Sequence, residues 1–204
     1  VHAGVSRCHQ RGCPDCWDTW TGERTEAIVR RLTALRWTRE EGVGRRVIHA
    51  TASPPQAEVV SLADVRRYRR RAQEYLRAAG VEGGVMVFHG FRATEETKEA
   101  YEAAQRANEE VQERMHAAGG LWQFIRESDP EWRDLVYWSP HFHVIGVAPE
   151  FEPSAADADG WILERLSTAD ALGGLRDREA YTSVAKMARY ILSHATFAAD
   201  GMRA

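Results

Sequence analysis

The sequence predicts an α+β domain: a central antiparallel sheet of about four or five strands, helices on one face, and a small metal-binding knuckle at its start. Three observations carry this. Short β-branched and aromatic runs alternate with longer stretches of helical periodicity. The β-prone runs are brief and bounded by Gly, Pro and Asp turns, which suits a small antiparallel sheet. All three cysteines, Cys8, Cys13 and Cys16, crowd into one short segment. The 204 residues are 44% hydrophobic and 28% charged, enough for one ordinary domain with a real core.

In chain order, "VHAGVSRCHQRGCPDCW" opens residues 1–20, read as a zinc-binding knuckle. Cys13 and Cys16 in C-x2-C spacing, with Cys8, offer three thiolates of a tetrahedral Zn²⁺ site, and His2 or His9 would supply the fourth ligand. Residues 21–204 form the main domain. Residues 22–36 read as a helix with Ile28, Val29, Leu32 and Leu35 on one side. "RRVIHATASPP" is a strand closed by Pro54 and Pro55. Residues 62–79 read as a helix buried through Val65, Tyr68, Ala72 and Leu76, and "GGVMVFHGFR" is a second strand after a glycine stop. Residues 95–118 read as one long polar helix ending at Gly119-Gly120, a helical insertion lightly packed through Tyr101, Ala104, Val111 and Met115. "RDLVYWSPHFHVIGVAP" is the strongest strand region, "GWILERLS" a fourth strand, and residues 177–197 a final helix.

The net charge of −3 does not mark a nucleic-acid binder, but phosphate contacts need only a local basic patch. Such a patch exists in Arg66, Arg67, Arg69 and Arg70 on the 62–79 helix. Arg92 and Trp138, near the third strand's histidines, are candidates to clamp or stack an unpaired base. Lys98 and Lys186 are the only lysines among 27 basic residues, which makes Lys186 conspicuous. No apolar run reaches the roughly 18 residues of a membrane span, so no membrane partner is expected. The start carries no apolar signal core and the cysteines are odd in number and clustered. A reducing, cytoplasmic location is the expectation.

The chemistry begins with His141 and His143 in "SPHFHVIG". Residues i and i+2 of a strand share a face, so two neutral imidazoles stand side by side and can bind one divalent ion. Two ligands are too few, and a third must come from elsewhere. On the last helix Lys186, Tyr190 and His194 recur at i, i+4 and i+8 and share a face. That face offers a cation, a phenol nucleophile and a metal ligand. With the histidine strand, these are the parts of a metal-assisted phosphodiester transesterification. A phenol is protonated at neutral pH, so a cation such as Lys186 would stabilise its phenolate or the leaving oxygen. Tyr181 lies half a turn out of phase with Tyr190, so one tyrosine is expected to act.

"HFH" followed by "KMARYILSH" resembles the second and third motifs of the HUH endonucleases, which include rolling-circle replication initiators (Rep proteins). "RRVIHATASPP" stands where their first motif lies. With "CHQRGCPDCW" and the arginine-rich composition, the chain is most similar to Rep proteins of haloarchaeal plasmids and viruses. The resemblance implies a ferredoxin- or RRM-like core and site-specific nicking and joining of single-stranded DNA at an origin hairpin. It implies a 5′-phosphotyrosine intermediate with a free 3′-hydroxyl, Mg²⁺ or Mn²⁺ as the catalytic ion, and host helicase and polymerase as partners. It makes His141 and His143 ligands and Tyr190 the nucleophile. For the third ligand His194 comes first, then His89, then His49. A single-tyrosine transposase would keep the same chemistry, and a zinc-ribbon DNA-binding protein with structural histidines is the rival without catalysis. A metal-dependent hydrolase that needs no Tyr190 is a third.

Overall fold

A computed structural model describes residues 17–37, 46–55, 61–107, 120–128, 132–153, 160–169 and 178–194. Its centre is β3 (Val136–Ala148), every residue of which from Pro140 onward is buried. β3 pairs antiparallel with β1 (Arg46–Ser53) on one side and with β2 (Gly83–Ala93) on the other. β4 (Ile162–Ala169) pairs antiparallel with the free side of β1, giving the order β2-β3-β1-β4. The expected α+β class and antiparallel sheet are therefore present, with four strands among the described residues.

β1 and β2 run parallel with β3 inserted between them, and the connection carries α2 (Leu62–Ala78), a split βαβ unit. Local chemistry sets the ends of α2. Ser61 accepts the Asp64 N–H at 3.2 Å as N-cap, and Asp64 in turn bonds Arg67. At the other end Gly80 sits at φ 97°, Val81 N–H reaches Leu76 O, and Gly80 N–H reaches Arg77 O. This is a Schellman stop, and a Cβ on Gly80 would also lie 2.2 Å from the Glu150 carbonyl oxygen.

The sheet has apolar residues of both parities, and this decides the layering. Ile48, Ala50, Ala52, Phe142 and Val144 point to one face and pack on Tyr68, Ala72 and Leu76 of α2. Val47, Ile145 and Val147 point to the other and pack on α1 (Trp17–Trp37) and α5 (Arg178–His194). The expectation of helices on one face is thus corrected: they cover both. A strand that is apolar on both sides cannot leave either side in water.

The expected 95–118 helix is described only as α3 (Glu95–Ala107), and residues 108–119 lie outside the described residues. A separate helix, α4 (Gly120–Ser128), begins where the long helix was expected to end. Its Trp122 and Ile125 bury against Ala93 and Val136. Thr94 caps α3, and the Thr97 hydroxyl donates to Leu135 O at 2.9 Å. That bond ties α3 to the start of β3 and brings Lys98 beside the histidine end of the sheet. The expected zinc knuckle, with Cys8, Cys13, Cys16, His2 and His9, lies outside the described residues. No described helix is long and apolar enough to cross a membrane.

Candidate metal centre and cleft

The face of the sheet under α1 and α5 changes character along its length. At one end it presents Val47, Ile145 and Val147. At the other it presents His49 of β1, His89 of β2, and His141 and His143 of β3, all buried. Pairing explains the convergence. His89 stands directly opposite His141 across the β2–β3 ladder, and His143 is opposite Val87. His49 is opposite Ile145, which makes it the diagonal neighbour of His143.

His89, His141 and His143 each offer a ring nitrogen, and these three atoms lie within 4.8 Å of one another. The three can hold a metal ion. Their outer nitrogens are already engaged. His141 Nδ1 is 2.6 Å from Ser139 O, and His89 Nε2 is 2.7 Å from Ile191 O. A carbonyl only accepts, so each of these nitrogens carries the proton and donates. The ligand atoms are then His141 Nε2 and His89 Nδ1. Ile191 lies in the last turn of α5, where a carbonyl has no intrahelical partner, and His89 supplies one. His143 Nδ1 meets His49 Nε2 at 2.8 Å, which leaves His143 Nε2 as its ligand atom.

Three of these imidazoles, His49, His141 and His143, are shifted toward the neutral form. Burial lowers His49 to about 4. Burial lowers His141 to about 4 as well, with its Ser139 bond opposing and Arg92 adding to the fall. His143 is driven well below 6.5, first by burial, then by the neighbouring charges of His89, His141, His49 and Arg92. A neutral ring with its outer proton on the far nitrogen is what a metal requires of histidine.

Tyr190 stands over this floor. Its ring is edge-on to His143 at 5.9 Å and to His49 at 6.0 Å. It keeps 37% of its surface open to solvent. Burial of the rest raises its pKa above 10, and the positive charge of Arg92 pulls it partly back. Tyr190, His141, His143 and Arg92 line one cleft of about 200 Å³ together with Lys98, Thr51, Glu164 and Trp122.

Arg92 reaches this cleft through an irregularity. Between the pairs His89↔His141 and Phe91↔Trp138, β2 advances two residues and β3 three. Gly90 therefore opposes Ser139 and Pro140 together. The extra residue lies on β3, and beyond it Phe91, Arg92 and Ala93 of β2 all line the cleft. Pro140 has no N–H to lose at such a bulge. Gly90 is required there because a Cβ would lie 2.6 Å from the Trp138 ring. The Arg92 Nε is buried with no hydrogen-bond partner among the described residues.

The other expected residues distribute as follows. Lys186 is exposed on α5 and does not line the cleft. His194 ends α5, and its side chain and that of Tyr181 lie outside the described residues. His49 partners His143 and is not in the three-ligand group. Arg66, Arg67, Arg69 and Arg70 are exposed on α2, on the opposite side of the sheet from the histidines. Trp138 packs between Phe88 and Phe91. The cleft-lining Lys98, Thr51, Glu164 and Trp122 were not expected. Strand alternation in "VIHATA" does put Thr51 in phase with His49, a signal present in the sequence. Compared with protein-family models, curated proteins and solved structures, the chain finds no match.

Proposed function

We propose that the cleft is the active centre of a metal-dependent enzyme that cuts and rejoins single-stranded DNA through Tyr190, as expected of an HUH endonuclease. One observation carries the reading: a half-open phenol stands edge-on over buried histidines that can bind a metal, in a cleft that also holds an arginine. The split βαβ sheet with the histidine pair on its central strand, and the tyrosine on the helix that follows, supports the same reading.

In the forward step Tyr190 Oη attacks phosphorus. The Oη–P bond forms and the P–O3′ bond breaks. The phenol proton leaves to solvent through the open side of the cleft, and the 3′ oxygen takes up a proton to become the 3′-hydroxyl. Attack of a 3′-hydroxyl on the phosphotyrosine reverses the step without ATP, because phenolate is a good leaving group. Arg92 lines the same cleft as Tyr190 and its charge acts on the phenol, so it would stabilise negative charge there and on a phosphate bound in the cleft. This assigns Arg92 the role that the sequence suggests for Lys186. A bound divalent ion would act as a Lewis acid on a phosphate oxygen. Three imidazole donors favour Mn²⁺ or a later divalent ion over Mg²⁺, which prefers oxygen ligands.

The test is a denaturing gel of labelled single-stranded oligonucleotides, random in sequence or containing hairpins, incubated with protein and Mn²⁺. A covalent adduct is expected with Mn²⁺ and not with EDTA. Tyr190→Phe should abolish it while leaving oligonucleotide binding. An adduct that survives in that variant removes Tyr190 as nucleophile. No adduct with any hairpin or random pool overturns the reading.

A further inference from the structure

The three ligand histidines differ in what fixes their protons. For His89 and His141 the outer nitrogen meets a backbone carbonyl, which can only accept. The ligand nitrogen of each is therefore decided by the backbone. For His143 the outer nitrogen meets a second imidazole, His49, at 2.8 Å. An imidazole can donate or accept through the same nitrogen. The contact has two polarities, and only one is compatible with ligation.

If His49 Nε2 donates, His143 Nδ1 accepts and the single proton of neutral His143 moves to Nε2. That nitrogen then has no lone pair for a metal. If His143 Nδ1 donates, His49 accepts, and His143 Nε2 carries the lone pair that ligation needs. Both rings are buried, at 5% and 4% exposure, so bulk water offers no substitute acceptor. The same His49 ring also lies 6.0 Å from the Tyr190 ring, edge-on. One residue thus touches both the ligand and the nucleophile.

We infer that His49 is a positioning residue: as the acceptor for His143 Nδ1–H it keeps His143 Nε2 turned to the metal as a lone pair, and it seats the Tyr190 ring beside that ligand. The inference rests on the reading that His89, His141 and His143 hold a divalent ion. It assigns His49 a role other than ligand. Outer partners of ligating histidines commonly change metal affinity 10–100-fold when lost, roughly the range expected here.

Zn²⁺ alone is the probe, because it is diamagnetic and suits imidazole donors. Calorimetric titration should give His49→Phe, which fills the site without an acceptor, an affinity about 10–100-fold weaker than the parent. His49→Gln, whose side-chain carbonyl can accept near the position of Nε2, should stay within about threefold of the parent, well inside that loss. Imidazole ¹⁵N correlation spectra of the Zn²⁺-loaded parent protein should show the His143 proton on Nδ1. Zn²⁺ on His143 Nδ1, or equal affinities for the Phe variant and the parent, overturns the inference. Equal losses in the Phe and Gln variants also overturn it, since a merely structural role would not be rescued by an acceptor. If His49→Phe does not fold, the Gln variant and the parent spectrum still decide. Failure of the underlying reading looks different: beyond the one equivalent expected at Cys8, Cys13 and Cys16 the parent protein binds no Zn²⁺, or His141→Ala binds that further equivalent as well as the parent.

Discussion

Acidification of the metal-free protein tests the buried imidazoles directly. His49 and His141 have ordinary values of 6.5 when unfolded and about 4 when folded, because burial disfavours the charged ring. The unfolded chain therefore binds more protons than the folded one between those values. Stability is fully present above 6.5 and is lost as pH falls toward 4. Between pH 7 and pH 5 each ring costs about 2 kcal/mol by this linkage, so the pair costs about 4 kcal/mol. His143, lowered further, acts in the same direction. Against a total stability of about 5–15 kcal/mol that is a large share. Urea denaturation in EDTA, followed by circular dichroism at pH 7, 6 and 5, measures it. The urea midpoint should fall steeply below pH 6.5 with an unchanged slope. A midpoint that stays level from pH 7 to 5 would refute the claim that these histidines are buried neutral.

Two further outcomes follow from the same site. His89→Ala should weaken Zn²⁺ or Mn²⁺ binding by more than about 100-fold, since it removes a ligand and not merely an outer partner, whereas His194→Ala should leave the affinity near that of the parent. The reverse order, measured by calorimetry, would make the helix histidine the third ligand. Gly90→Ala forces a Cβ against a Trp138 ring wedged between Phe88 and Phe91, so it should destabilise by about 1–3 kcal/mol. It should also lower adduct formation at saturating metal, as Arg92→Ala should, because Arg92 follows Gly90 by two residues in the strand that lines the cleft. Full stability with full adduct yield in Gly90→Ala would mean that the bulge has no such role.

Much of the fold was legible because strands and helices announce themselves by period. The four strand regions and the helices at 62–78 and 178–194 follow from local alternation, caps and turn residues, such as Ser61 and Gly80 around α2. The helix Gly120–Ser128 was missed because Gly119-Gly120 reads as a stop, whereas here it precedes a new start. The number of helix layers was misjudged for a different reason. "PHFHVIGVA" is apolar or neutral at nearly every position, and such a run signals a strand buried on both faces. Alternation puts His89 in phase with Val85 and Val87, just as it puts His141 and His143 in phase with Ile145. What alternation lacks is register, and only register says that His89 faces His141.

The sequence by itself determined the element types, the histidine pair on one strand face and the tyrosine on the last helix, since each depends on spacings within a few residues. The tertiary structure decided which histidine joins the pair, which one backs it, and that Arg92 and not Lys186 enters the cleft. Those choices depend on how strands distant in the chain slide against one another and on which helix end meets the cleft. A slip of a single position turns a side chain to the opposite face, and no local pattern encodes that position.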